Sequence, residues 1–289
     1  MAKLRFDDAR NFLYANGRLL ERNLFAALFE DGDPGAVVEA LRGYRNPDGG
    51  FGHGLEPDKR FPASQPLDVE CAFQAMDAAG RVDPDLVQGA CRFLEVLGSG
   101  VGCLTGISPR YPHAPHWQEW ALAPSLNPTA GIVSLLWKWD FVHNWREEAT
   151  AFCWQQLEQG VPSDAHGYGE VLSFLAWVPD RERAARLSDE LADRLQRLDL
   201  FRLDPDEGGY GLTPLHFAAS PESPWMTLFD RSTIEAHLDG LIAEQGDDGG
   251  WPISWPTLSL AAQCEWRAIE TLRALRTLRA FGRFPEQGP

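Results

Sequence analysis

Four carboxylates near one helix start are the residues best placed for chemistry. Glu56-Pro57-Asp58 follows a glycine-rich turn, and Asp68-Val69-Glu70-Cys71-Ala72 opens an apolar helical stretch ten residues later. Glu56, Asp58, Asp68 and Glu70 in one cluster would form an acid pair, because neighbouring carboxylates in a dry site cannot all ionise. With His53 the same group would make a small metal site. The structural alternatives are a solvated loop, and for Asp68 an acid favoured by the dipole of the first helical turn. Asp204-Pro-Asp206-Glu207 is a further acidic string, but it sits in a Gly-rich turn and reads as turn chemistry.

Aromatic residues surround these acids in number. The chain has 11 Trp and 16 Phe, and they need either a core or a wall. Trp137, Trp139, Trp177, Trp251, Trp255 and Trp266 fall on or beside apolar helices and read mostly as core. His113, His116, Trp117 and Trp120 lie in a Pro-rich stretch, 105–128. A second, 212–230, holds His216, Phe217, Trp225 and Phe229. Long loops of this kind act as lids when they carry function. Glu265 and Arg267 on the last helix would be functional if they faced inward. The row Arg273, Arg276, Arg279 and Arg283 reads as a solvated face near a helix C-terminus.

The elements that must position these groups are helical. Val37, Leu41 and Tyr44 share one stripe; so do Val69, Phe73 and Met76, and Ile132, Leu135 and Leu136. Pro66, Pro84 and Pro128 stand at helix starts. A last helix is predicted over about 258–281. A phrase also repeats: Asn46-Pro-Asp-Gly-Gly-Phe51, Asp204-Pro-Asp-Glu-Gly-Gly-Tyr210 and Gly246-Asp-Asp-Gly-Gly-Trp251, with a weaker copy at Asp164-Ala-His-Gly-Tyr168. Gly209 and Gly250 are 41 residues apart, the period of a two-helix unit. Charged amphipathic helices (34–45, 145–159, 181–199, 230–245) alternate with more apolar ones (65–80, 127–140, 168–178, 259–281). The expectation is an all-α chain of helix pairs in two concentric rings, an (α/α)6 toroid over 34–289, with an N-terminal helical segment, 1–33, packed on it.

Gln245-Gly-Asp-Asp-Gly-Gly-Trp251 resembles the Gln-Trp repeat of squalene-hopene cyclases, and Asn46–Phe51 resembles a variant of it. Over roughly 34–282 the chain is similar to the terpenoid cyclase/protein prenyltransferase α/α-toroid superfamily, in particular its single-domain bacterial branch. The resemblance implies that Gln245 caps a helix, with the aromatic stacked beside it. It also implies an acid at the head of an inner helix, where Asp68-Val-Glu70-Cys71 stands in place of Asp-x-Asp-Asp. Glu and Cys replace two of its acids. Zinc prenyl transfer would need Asp-x-Cys, and Asp68 and Cys71 are three apart. The lanthionine-cyclase Cys-His-Gly and the class I Asp-Asp-x-x-Asp strings are absent.

The resulting expectation is acid-initiated cyclisation of a polyprenyl substrate. Glu70, Asp68, Glu56 and Asp58 are its acids. Trp255, Trp266, Phe73, Phe217 and Trp117 line the aromatic cavity. Mg²⁺ enters only with a diphosphate substrate, and Lys occurs only at 3, 59 and 138. A binding module would keep the cavity without a coupled carboxyl pair. A carbohydrate-active (α/α)6 enzyme would need two carboxylates roughly 5–10 Å apart. The net charge of −16 repels phosphate backbones and argues against nucleic acid. Five irregularly spaced cysteines, no apolar signal core and no membrane-length run place the protein in the cytoplasm.

Overall fold

A computed structural model describes residues 3–98, 110–118 and 124–284. Among them are twelve α-helices and no strand, so the chain is all-α. In order they are α1 (Phe6–Asn16), α2 (Leu19–Phe29), α3 (Pro34–Arg42), α4 (Pro66–Ala78), α5 (Pro84–Gly98) and α6 (Leu126–Lys138). Then come α7 (Asn144–Gln159), α8 (Ala165–Trp177), α9 (Arg181–Ala192), α10 (Pro214–Phe217), α11 (Arg231–Ala243) and α12 (Leu260–Ala280).

Local chemistry sets most of the starts. Asp33, Asp164, Asp180 and Ser259 each accept a hydrogen bond from a backbone N–H of the first turn, which satisfies an orphan donor there. Pro34, Pro66 and Pro214 occupy first-turn positions, where no N–H is needed. The helix expected over 181–199 stops at Ala192 and passes through a 3-10 turn to Leu200, whose φ is +58°.

The alternate helices pack side by side: α6 lies broadly against α8, and α4 against α6. The helices between them flank these: α3 on α2, α7 on α6, α9 on α8 and α11 on α10. α12 meets α1 and α2, so the two ends of the described chain join. Burial follows this order. α6 has nine buried residues and α9 only Ala184 and Leu191. α7 is half-buried, with Trp145, Phe152 and Trp154 in the core beside Ala149 and Cys153.

The repeated turns are the joints. In the first, Gly49 has φ +92° and an added Cβ would stand 2.5 Å from the carbonyl oxygen of Gly89 on α5. A Cβ on Gly50 would meet the Phe93 ring at 2.8 Å. In the last, Gly249 has the same φ, with Asp8 O of α1 at 2.2 Å, and Gly250 meets the Phe12 ring at 2.6 Å. Only glycine fits both positions. The partners are four residues apart on their helices, so α1 receives the last turn as α5 receives the first. Gln245 adds a two-way clasp: Arg5 N–H donates to its Oε1 at 2.9 Å, and its Nε2 donates to Arg5 O at 2.9 Å. The middle turn differs, since a Cβ added at Gly209 would meet nothing within 4 Å.

Several side chains sit otherwise than their sequence context implies. Trp251 is buried and donates from Nε1 to Leu241 O at 2.7 Å, but Trp177 is 48% exposed and Trp137, Trp139, Trp255 and Trp266 are half-buried. The arginine row is solvated in part: Arg276 and Arg279 are exposed, and Arg273 and Arg283 are half-buried. Arg279 donates to Leu28 O and lies over Phe29, Arg283 bridges Glu235 and Asp239 of α11, and Arg273 pairs with Glu270. Arg267 grips Asp248 through both terminal nitrogens, at 2.7 and 2.8 Å, and so holds the last turn. In 212–230 the first part is α10, whose Leu215 and Phe217 are buried, so this portion is core and not lid. Parts of 105–128, with Trp120, lie outside the described residues.

Candidate active site

The four predicted carboxylates do not form one cluster. Asp68 and Glu70 are two residues apart on α4, which turns their side chains to opposite sides of the helix. Asp68 is fully buried and faces the 54–60 loop. Its Oδ1 accepts from Glu56 N–H at 2.8 Å, and its Oδ2 holds the ammonium of Lys59, itself 1% exposed. Arg18 secures the loop from the other side, donating to Gly54 O and Leu55 O at 3.1 and 2.8 Å. Burial keeps Asp68 above the usual carboxylate range despite Lys59. Burial also pushes Glu56 up to about 8, against the pull of Lys59 at 4.0 Å. This cluster is an anchor for the loop. His53 is outside it, exposed and bonded through Nε2 to Asn46 Oδ1 at 3.0 Å, so the His53 metal arrangement does not form. Among the described residues no group of three His, Cys, Asp or Glu side chains could hold a metal ion.

Glu70 points the other way and meets Glu170 of α8. Oxygens of the two carboxyls converge over Gly131 of α6. Gly131 makes the meeting possible. A Cβ there would lie 2.0 Å from Glu170 Oε2 and 2.1 Å from Glu70 Oε1. Burial, and then the neighbouring Glu170 carboxylate, raise Glu70 well above the usual range. Glu170 is raised by burial to about 7. Glu70 Oε1 is buried and has no hydrogen-bond partner. Two carboxyls this close do not both ionise readily, so the pair retains a proton to higher pH than an isolated carboxyl does.

The same three helices carry a second level seven residues on, two turns or about 10 Å along the axis. There Lys138 of α6 bonds Asp77 of α4 at 2.8 Å and lies 5.4 Å from the ring centre of Trp177 of α8. Between the levels, Gln74 and Ser173 are exposed although α4 and α8 pack on α6. The level of Trp177 is thus open to solvent, whereas Glu70 is 4% exposed.

On the N-terminal side of the pair stands an aromatic wall. His166, one turn before Glu170 on α8, lies 2.6 Å from Tyr210 Oη through Nε2. Tyr210 meets Trp255 edge-on at 5.5 Å, and Trp255 meets Trp266 edge-on at 5.3 Å. Trp255 Nε1 donates to Asp58 Oδ2 at 3.2 Å, and His116 Nε2 is 3.5 Å from the same oxygen. Asp58 thus faces the wall while its backbone belongs to the anchored loop. Burial raises its pKa, against His116, the two indoles and Arg60. Arg60 pairs with Glu265 at 2.9 Å.

Of the aromatic residues expected to line the cavity, Trp255 and Trp266 stand in this wall. Phe73 and Phe217 do not. Phe73 is fully buried against Trp139, at 5.3 Å, and Phe217 stacks on Phe201 at 5.2 Å. Both are core, drawn in by the packing of α4 on α6 and of α10 on α8. Trp117 lies in a 3-10 turn, Pro115–Gln118, and its side chain is outside the described residues. Burial and the acids around Cys71 raise its thiol well above the ordinary value, which opposes a zinc thiolate there. Sequence reasoning missed Glu170, Gly131, Lys59, His166 and Tyr210. A signal for Glu170 existed: it is the lone carboxylate in the otherwise apolar stretch 165–177. A scan against protein-family models and a search of curated proteins each give no match.

Proposed function

We propose that the chain is an α/α-toroid and a terpenoid-cyclase-like enzyme, in which the Glu70–Glu170 pair is the acid. The toroid reading is supported by α12 meeting α1 and α2, and by the last turn seating on α1 as the first seats on α5. The acid reading rests on one observation, the two carboxyls that meet over Gly131. With both carboxyls protonated, one transfers its proton to an alkene carbon: an O–H bond breaks, a C–H bond forms and a carbocation results. The carboxylate left behind accepts a hydrogen bond from its partner's O–H, the shared state that the pair favours. Trp255, Trp266 and Tyr210 offer ring faces to the cation. Loss of a proton from a neighbouring carbon restores an alkene, so the net reaction is an isomerisation.

The coupled pair favours an enzyme over a binding module. With one oxygen of each within 2.1 Å of the same point over Gly131, the two carboxyls are too close for the roughly 5–10 Å carboxylate spacing of glycoside hydrolysis. The test is a product assay with squalene, polyprenols and prenyl diphosphates, with and without Mg²⁺, read by mass spectrometry. Cyclised products are expected, falling 10²–10⁴-fold in Glu70→Gln and Glu170→Gln, the usual scale of a lost general acid. Full activity in both variants, or no product from folded protein, would remove the acid reading.

A further inference from the structure

Four arginines follow one another along the end of α12, and only two of them are neutralised. Arg273 pairs with Glu270, and Arg283 with Glu235 and Asp239. Arg276 and Arg279 stand between them, three residues apart, and neither forms an ion pair with any described residue. Arg279 donates to the Leu28 carbonyl and lies 4.5 Å from the centre of the Phe29 ring, so a backbone oxygen and a ring hold it without cancelling its charge. Arg276 is repelled by Arg279 and attracted by the Asp77 carboxylate of α4. That carboxylate is already engaged: Oδ1 accepts from Trp139 Nε1 at 3.1 Å and Oδ2 from Lys138 at 2.8 Å. Three cations therefore share one carboxylate, on a chain whose net charge is −16. Lys138, Arg276 and Arg279 are all exposed, beside the open level of Trp177. Burial nevertheless lowers the pKa of Arg276, so water reaches a group that has protein on several sides, as in a concavity.

The C-terminal end of α12 favours cations and so holds these two in place. It does not relieve their mutual repulsion, since like charges at this spacing destabilise a helix. An oxyanion between the two guanidinium groups reverses the sign of that interaction. Each guanidinium is a planar fork that donates two parallel N–H bonds to an oxyanion. A carboxylate brings one charge and fills one fork. A phosphate brings up to two charges and has oxygens for both. The acidic field of the whole chain opposes a membrane or a nucleic acid, whose charges extend over many Debye lengths of about 8–10 Å; a small anion answers only to the charges within one.

We propose that Arg276 and Arg279, flanked by Lys138, form a binding site for the phosphate group of a small molecule. The site belongs to the Asp77–Lys138 level and not to the acid pair, so it stands whether or not that pair is catalytic. The phosphate is either a free ion or part of a larger molecule, and the test separates these sources.

Binding is measured by isothermal titration calorimetry at fixed ionic strength with inorganic phosphate, inorganic diphosphate, phenyl phosphate and acetate. Wild type is compared with Arg276→Gln, Arg276→Lys, Arg279→Gln and Glu70→Gln, each checked for folding by circular dichroism. The control is Arg186→Gln, which removes an exposed arginine paired with Glu182 on α9. Saturable binding of phosphate is expected, tighter for diphosphate and weaker for acetate. Arg276→Gln and Arg279→Gln should each weaken diphosphate about tenfold or more, the scale of a lost charge-assisted hydrogen bond. Arg276→Lys keeps the charge but loses the fork, and should fall between. Glu70→Gln and Arg186→Gln should bind as wild type does, which keeps this site separate from the acid reading. No saturable binding of phosphate or diphosphate to folded wild type, or unchanged affinity in both arginine-to-glutamine variants, would overturn the site. Acetate bound as tightly as phosphate would overturn the choice of phosphate. Phenyl phosphate bound more tightly than inorganic phosphate supports a phosphate carried by a larger molecule, and the reverse order supports the free ion. Flotation with vesicles of phosphatidic acid in phosphatidylcholine completes the test: Arg276-dependent capture on vesicles, without binding of the soluble anions, would overturn the small ligand.

Discussion

Asp68 and Glu70 stand two residues apart on α4 and meet opposite fates. Asp68 turns toward a lysine and a backbone N–H, and its charge is spent on fixing a loop. Glu70 turns toward another carboxylate, and the charge conflict there is relieved by a shared proton. Burial raises both groups, but only Asp68 has a cation beside it. What a buried acid can do is set by what faces it, and half a helical turn changes that.

This contrast can be broken most severely at Asp68. Asp68→Ala removes the closest carboxylate from a buried ammonium, and unfolding in urea should show a loss of about 3–5 kcal/mol. Gly131→Ala comes next. Its methyl would enter the space of both carboxyl oxygens, costing about 1–3 kcal/mol in the same measurement and depressing any Glu70-dependent turnover.

Titration sharpens the comparison. Glu56 rises from 4.5 to about 8 on folding and Glu170 to about 7, so the folded state binds more protons than the unfolded one between these values. Stability is then full below pH 4.5 and is lost as pH rises through 7 and 8, by at most about 1.4 kcal/mol per pH unit for each group. Glu56→Gln and Glu170→Gln should each flatten the decline seen in unfolding curves between pH 5 and 8; an unchanged slope in both would remove the assignment. The smallest effect is expected at the middle turn. Asp206 is exposed in a turn where a Cβ added at Gly209 would meet nothing, and Asp206→Ala should stay within about 0.5 kcal/mol of wild type.

Much of the helical order was legible because it is local. Pro34, Pro66, Asp164, Asp180 and Ser259 each act on their own first turn, and they announce α3, α4, α8, α9 and α12 without reference to the rest of the chain. The glycine pairs likewise mark the turns. The acid pair was half legible. Glu70 stands out in an apolar stretch, but its partner lies 100 residues away on another helix, and nothing local ties the two. Grouping Glu70 with Glu56 and Asp58 treated proximity in sequence as proximity in space, which the helical rotation between Asp68 and Glu70 forbids. The arginine row on α12 was legible as a face, exposed at Arg276 and Arg279, but not in its partners. Its spacing marks one face, but what covers that face comes from α2 and α11.

The clasp between Gln245 and Arg5 also sets an order of events during synthesis. The two residues are 240 positions apart, so α1 leaves the ribosome long before its seat exists. At roughly 5–20 residues per second the wait is on the order of ten to fifty seconds. Throughout that time Phe12, the ring against which Gly250 finally rests, lacks its cover. The first helix made is among the last to be housed, and its apolar side is where a chaperone would find the nascent chain.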